Sequence, residues 1–423
     1  MSKSIMVNYL SKFSYILVII FPVSIVAGPA ISDGIIILCS LIFIYISYKE
    51  KLWSKYFLNY FAIFFWCWCT LLILNSVLSF NPLLSLESSL FYFRFGIFTL
   101  VVCYLIDSFD NFKKYFFWVL LSLIIFVIFD SYLQYFTSYD VFGYHFDKTA
   151  GLIRMAGPFG DEWVLGIFLS KIIATLMALA SLIIFSKKNK FFLLISIGAL
   201  SGGVIFLSGE RTAFATYIIF IFLTLIFVKN MRLTGIVILL ISAVSIAILV
   251  TNDREIKYRM TQQVVEQIIS ENGKINFYSQ AHENFLVSSY RMFSENKFFG
   301  VGPKLYREAC SFEKYSYNDS CSTHPHNFYL QLLAETGITG TAPLIAIFVT
   351  TVFFLFKSLI PIQINQKIRA DSNAEYKIFL LLAIIINLWP FFPTLSFFNN
   401  WSSALTFLPF GFIMHEFYFK NKK

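Results

Sequence analysis

The chain has 423 residues, of which 58% are hydrophobic and 13% charged, where soluble domains carry about 45–50% and about 25%. With a mean hydropathy of +0.71 and 52 Phe, a water-soluble enzyme is excluded, and the unit to count is the membrane span. The net charge of +9 sits at the ends of apolar runs rather than on one patch, as in membrane proteins, so nucleic acid is not an expected partner.

Apolar runs long enough to cross about 30 Å of hydrocarbon recur near 13–30, 31–48, 57–79, 88–106, 115–136 and 161–185. Six more follow near 191–208, 210–228, 233–250, 327–356, 374–393 and 402–419. The expected fold is therefore an all-α polytopic helix bundle of about twelve transmembrane helices. The first run leads straight into the second with no small-residue cleavage site, so it reads as a retained span, not a signal peptide. Six Cys are scattered, four of them inside apolar runs, and no paired C-x-x-C zinc pattern is present.

Cytoplasmic loops carry the excess of Lys and Arg. One set of loops and termini holds 19 of the 33 such residues, among them Lys49, Lys55, Lys113, Lys190, Lys367, Arg369, Lys377, Lys422 and Lys423. The short loops of opposite parity hold only Lys148, Arg154 and Arg211. Both termini are thus expected in the cytoplasm. Residues 251–325 form a long polar segment on the outer face, between spans nine and ten, with Asn252–Gln267 spaced as a surface helix. The expected organisation is spans 1–9 over 1–250, an outer cap over 251–325 and spans 10–12 over 326–423. No internal repeat is evident, which disfavours repeat-built transporters.

Ionisable residues at membrane depth are costly and point to function. Arg211, in Ser208-Gly209-Glu210-Arg211, falls in the first turn of a span, where the helix dipole disfavours a cation; it reads as an anion clamp, or as an ion pair with Glu210. Thr323-His324-Pro325-His326-Asn327 is where the chain re-enters the membrane. Pro325 fits a first helical position, which would put His326 in the first turn, held neutral by the dipole and ready to accept a proton. That helix start would also leave N–H groups open to a phosphate. Asn327, Gln331 and Glu335 form a polar stripe facing into the bundle. The bland alternative is a capped helix with incidental histidines; His324 and His326 lack the further ligands that zinc needs.

Arg291 and Arg307 bracket Gly300-Val301-Gly302-Pro303, which reads as a flexible turn near cations. Arg94 snorkels outward, Lys171 near mid-depth needs a carboxylate or a polar cavity, and Arg154 is one more cation on the outer side.

At these residues the sequence resembles the O-antigen ligase and polymerase superfamily of bacterial envelope enzymes. The likeness rests on the span layout, the large outer segment, Ser208-Gly209-Glu210-Arg211, Arg291 followed by Gly302, and His326-Asn327 through Glu335-Thr336-Gly337 to Gly340. It is strongest over about 190–355. The resemblance implies a multi-pass protein of the bacterial inner membrane with a periplasmic active site. Its partners would be the bilayer, a glycan on undecaprenyl diphosphate as donor, and lipid A-core or another glycan chain as acceptor. Arg211 and Arg291 would hold the diphosphate and His326 would activate the acceptor hydroxyl, with Arg154, Asn327 and Glu335 around the substrate and no metal or other cofactor. Direct displacement would invert the anomeric centre. A ligase is favoured over a polymerase, and a lipid-linked oligosaccharide flippase is the alternative from another class. Cys310 and Cys321, in an oxidising compartment, are expected to pair.

Overall fold

The computed structural model describes residues 3–146, 154–269, 278–359 and 372–420. Lys148, Lys367, Arg369, Lys422 and Lys423, counted above for orientation, lie outside them. The described residues are mostly helical, with no sheet. In chain order the long helices are α1 Lys3–Ala27, α2 Pro29–Lys49, α3 Tyr60–Val77, α4 Phe93–Ser108, α5 Phe112–Thr137, α6 Leu165–Ile183 and α7 Lys187–Leu207. They continue as α8 Arg211–Phe227, α9 Arg232–Asn252, α10 Gln280–Glu295, α11 Phe328–Lys357, α12 Ser372–Asn387 and α13 Asn400–Met414.

Each expected span meets one of these helices, and only α10 belongs to the outer segment. Nine helical stretches among the described residues are long and apolar enough to cross a membrane, with α8 a shorter apolar helix. The molecule is thus an all-α, polytopic bundle. Helix starts are set by local chemistry. Asn59, Asn81, Ser186 and Asn399 each accept a hydrogen bond from a backbone N–H of the first turn, the usual work of these residue types at a cap. Pro29 and Pro82 open their helices, where a missing N–H costs nothing.

The bundle is inside-out relative to a soluble protein only on its flanks. Leu41, Phe61, Phe129, Leu240, Val244 and Phe353 are exposed, as suits a surface bathed in hydrocarbon. The core is a continuous apolar cluster in which α12 lies between α6, α8, α11 and α13.

Two charges that were hard to place from sequence are explained by packing. Arg94 donates through Nε to Asp33 Oδ1 at 2.8 Å and through Nη2 to Asn400 Oδ1 at 2.8 Å. It ties α4 to α2 and α13. Lys171, 8% exposed, donates to the carbonyl of Asn387, the last residue of α12, at 3.4 Å, with its ammonium 5.1 Å from the Phe328 ring centre. It thereby caps a helix C-terminus, where a cation is favoured.

The expected surface helix over Asn252–Gln267 is present as Arg254–Lys257, a π-helical turn Tyr258–Gln262 and Gln263–Ile268. Asp253 caps it by accepting from the N–H groups of Glu255 and Ile256.

The outer segment is fastened to α11 by a backbone clasp. Helix α11 breaks at Gly337, which has φ 60 and ψ −154. Against the break run residues 297–302. Val301 N–H donates to Ala334 O at 3.0 Å, Gly302 N–H to Glu335 O at 2.8 Å, and Ile338 N–H to Lys297 O at 2.8 Å. A Cβ on Gly337 would stand 2.6 Å from Lys297 O, and one on Gly300 would stand 2.3 Å from the Glu335 carbonyl carbon. Gly300-Val301-Gly302 is therefore a fixed crossing rather than the flexible turn expected, because backbone meets backbone there and no side chain fits. Asn75 and Trp68 of α3 support the same break, donating to Thr336 O and Gly340 O. Cys310 and Cys321 form a disulfide that closes a loop within the outer segment.

Candidate active site

The turn between α7 and α8 is the first wall of the site. Glu210 does not pair with Arg211. Its carboxylate accepts from Gly166 N–H at 2.6 Å and from Ile167 N–H at 3.3 Å, supplying the first turn of α6 with the acceptors that a helix N-terminus lacks. Arg211, the first residue of α8 and half-buried, is left without a salt-bridge partner among the described residues. The interfacial ion pair is thus replaced by a carboxylate committed to one helix and a guanidinium released at the start of another.

Arg154 enters from the segment before α6. Its guanidinium lies 5.0 Å from the Trp163 ring centre, and its buried Nε has no hydrogen-bond partner. It is within electrostatic reach of Arg211, Glu210 and His326.

The second wall is a group of three imidazoles. His324 and His326 have ring centres 4.2 Å apart, and His282 of α10 lies 6.1 Å from His326, with Phe285 of the same helix at 5.3 Å. Ser322 Oγ is 3.4 Å from His326 Nε2, and His282 Nδ1 meets Ser279 Oγ at 2.7 Å. Among the described residues no group of three or more His, Cys, Asp or Glu is arranged to hold a metal.

The helix start differs from expectation. Asn327 is the cap: its side-chain oxygen accepts from Tyr329 N–H at 2.9 Å and Leu330 N–H at 3.1 Å. Pro325 consequently lies outside α11, and His326 precedes the cap in a left-handed conformation with φ 52. Asn wins because its amide oxygen satisfies two orphan donors that a proline start would leave open. Those N–H groups are occupied and not open to a phosphate. His326 is held below the ordinary imidazole range, as expected, but by burial first and the Arg154 charge second rather than by the dipole. Burial also pushes His324 down to about 3 and His282 down to about 4, His326 adding to both. All three rings are neutral at pH 7.

His326 is fixed from below. Its carbonyl accepts from Thr394 N–H at 2.7 Å, and Asn327 Nδ2 donates to Pro390 O at 2.8 Å and to Phe392 O at 3.3 Å. The stripe continues with Gln331, which donates to Glu335 Oε2 and Ser396 Oγ and accepts from Phe397 N–H. Glu335, fully buried, accepts from Tyr306 N–H at 3.0 Å. The polar atoms of Asn327 and Glu335 thus serve the scaffold, the first at the helix cap and the second at the clasp.

Arg291 is not brought to this group. It lies nine residues along α10 from His282, about 13 Å of axial rise and half a rotation away, with its Nη1 on Ser316 O and its guanidinium 5.0 Å from the Tyr317 ring centre. The structure instead supplies two residues that sequence reasoning missed, His282 and Arg259. Arg259, 5% exposed, donates through Nε to Gly209 O at 3.1 Å. Its position within the expected surface helix was the one available signal.

A site with Arg154, Arg211 and Arg259 on one side and a neutral imidazole on the other can hold a polyanionic leaving group and take a proton from a hydroxyl. No curated protein sequence matches the chain. Residues 196–345 match the family described as O-antigen ligase; Ser208-Gly209-Glu210-Arg211, Arg291 with Gly302, and His326 through Gly337 all lie inside the match. The chain thus carries an O-antigen-ligase-type region over that stretch, which supports its resemblance to the O-antigen ligase and polymerase superfamily.

Proposed function

We propose that the chain transfers a glycan from undecaprenyl diphosphate to a lipid A-core hydroxyl at the periplasmic face of the bacterial inner membrane. The observation that carries this reading is the set of unpaired arginines facing a neutral His326. In the reaction a ring nitrogen of His326 takes the acceptor proton as the oxygen attacks the anomeric carbon. The glycosidic bond to the diphosphate breaks, and the leaving undecaprenyl diphosphate gains the charge that Arg211 and Arg154 neutralise. Displacement from the opposite side inverts the anomeric centre. Guanidiniums in place of a metal suit this role because they present a forked donor set to phosphate oxygens.

Arg291, paired with the outer loop, is better placed to hold the glycan than the diphosphate. Deleting the gene and separating the host lipopolysaccharide by size tests the acceptor. A ligase leaves bare lipid A-core with glycan stranded on undecaprenyl diphosphate; core bearing a single repeat unit would instead identify a polymerase, with a growing chain as acceptor.

A further inference from the structure

Arg259 is carried by the outer helix, not by a span, yet it is among the most buried cations of the molecule. Ile256, one turn before it and 3% exposed, packs into the main core, so the two residues at i and i+3 turn the same face inward. The π-helical turn Tyr258–Gln262 begins one residue before Arg259, and such turns re-aim side chains at functional sites. At its start the element is tied down by Asp253, whose Oδ2 accepts from the Tyr135 hydroxyl of α5 at 3.2 Å.

The charges around Arg259 do not balance. Arg154 and Arg211 both act on it, and burial with these two cations pushes it down to about 10. Glu210 is the one carboxylate that acts on it in the opposite sense, and both its oxygens are already taken by Gly166 and Ile167. Arg259 uses its Nε on Gly209 O. A buried surplus of like charge opposes folding unless an anion completes it.

We infer that Arg259 is a third diphosphate-binding residue, which closes the outer helix over the Ser208–Arg211 turn and contacts the anion from the side opposite the bundle. The inference deepens the proposed function and rests on it. The ligand class is a lipid diphosphate, glycosylated before transfer and a monoester after it. Arg154 comes from the segment before α6, Arg211 from the start of α8 and Arg259 from the outer helix, and the three act on one another as a cluster of cations.

The test uses the full chain in detergent, inorganic pyrophosphate as probe, and the variants Arg259→Gln, Arg259→Lys and Arg211→Lys. Arg259→Gln should weaken pyrophosphate binding at least about tenfold while leaving the ligand-free melting temperature equal to or above wild type, because a repelling charge has gone. A residue that merely braces the turn would show the reverse, a lower melting temperature with affinity unchanged. If Arg259→Gln fails to fold, Arg259→Lys, which keeps the charge but not the fork, is read in its place. A pyrophosphate Kd within threefold of wild type in the folded variant overturns the inference. Loss of binding in Arg211→Lys alone would remove Arg259 and leave the diphosphate reading standing; a wild type that binds no pyrophosphate would remove both.

Discussion

The two ends of the bundle differ in what they do with a cluster of cations. At the end where α4 meets α5 and α13 terminates, cations have acids beside them. Lys55 and His415 meet Asp107, Lys113, Lys377 and Lys420 surround the buried Glu416, and Lys190 meets Glu375. At the other end Arg94, Lys304 and Lys314 also have acids beside them, but Arg154, Arg211 and Arg259 share one carboxylate that is already engaged by backbone N–H groups. That end is held instead by the clasp at Gly337 and by the Asn327 cap. Pairing satisfies a charge whose work is structural; on the proposed function, the charges kept unpaired beside a fixed scaffold are those that meet the ligand.

This contrast is most sharply tested at His326. His326→Ala should lower glycan transfer by about a hundredfold or more, with membrane insertion and melting temperature unchanged. Wild-type turnover in that variant would make the imidazoles part of the scaffold. The same ring sets a pH dependence. Its proton affinity is lowered in the folded protein, so the unfolded chain takes up the proton first as pH falls. The contribution to stability is complete above about pH 6.5 and declines below it, and transfer should fall at a lower pH, where the ring takes up its proton in the folded protein.

Gly337→Ala attacks the clasp. A side chain at φ 60 against Lys297 O should cost about 2–3 kcal/mol, read as a lower melting temperature, and should reduce transfer by releasing the outer segment. Unchanged melting would show that the clasp is not what holds this end. Arg211→Lys should reduce transfer about tenfold with no loss of stability, since a point charge replaces a fork. Full activity would leave charge, not bidentate geometry, as the requirement. The smallest effect belongs to the paired end. Lys55→Ala, at an ion pair whose lysine is 45% exposed, should change stability by less than about 1 kcal/mol and leave transfer intact.

The spans were legible because a bilayer demands uninterrupted apolar runs, and the Ser208–Arg211 and His326–Gly337 motifs were legible because polar residues at membrane depth stand out. What sequence could not show follows from competition among partners. Glu210 adjoins Arg211 in the chain, yet the unsatisfied N–H groups of α6 claim it. Pro325 suits a helix start, but the Asn327 side chain satisfies more donors. His282 enters the site because the outer segment folds back through backbone contacts between residues 297–302 and 334–339, and Arg259 because Ile256 and Asp253 dock its helix on the bundle, outcomes that no periodicity reveals.

The hold on His326 also sets the order in which the molecule can become active during its synthesis. Arg154 and Arg211 are in place once the eighth helix is made, but His326 depends on Thr394 and its neighbour Asn327 on Pro390 and Phe392. On the proposed mechanism, a nascent chain shorter than 394 residues would carry the cations without a positioned base, and turnover would begin only once Pro390–Thr394 has folded against His326 and Asn327.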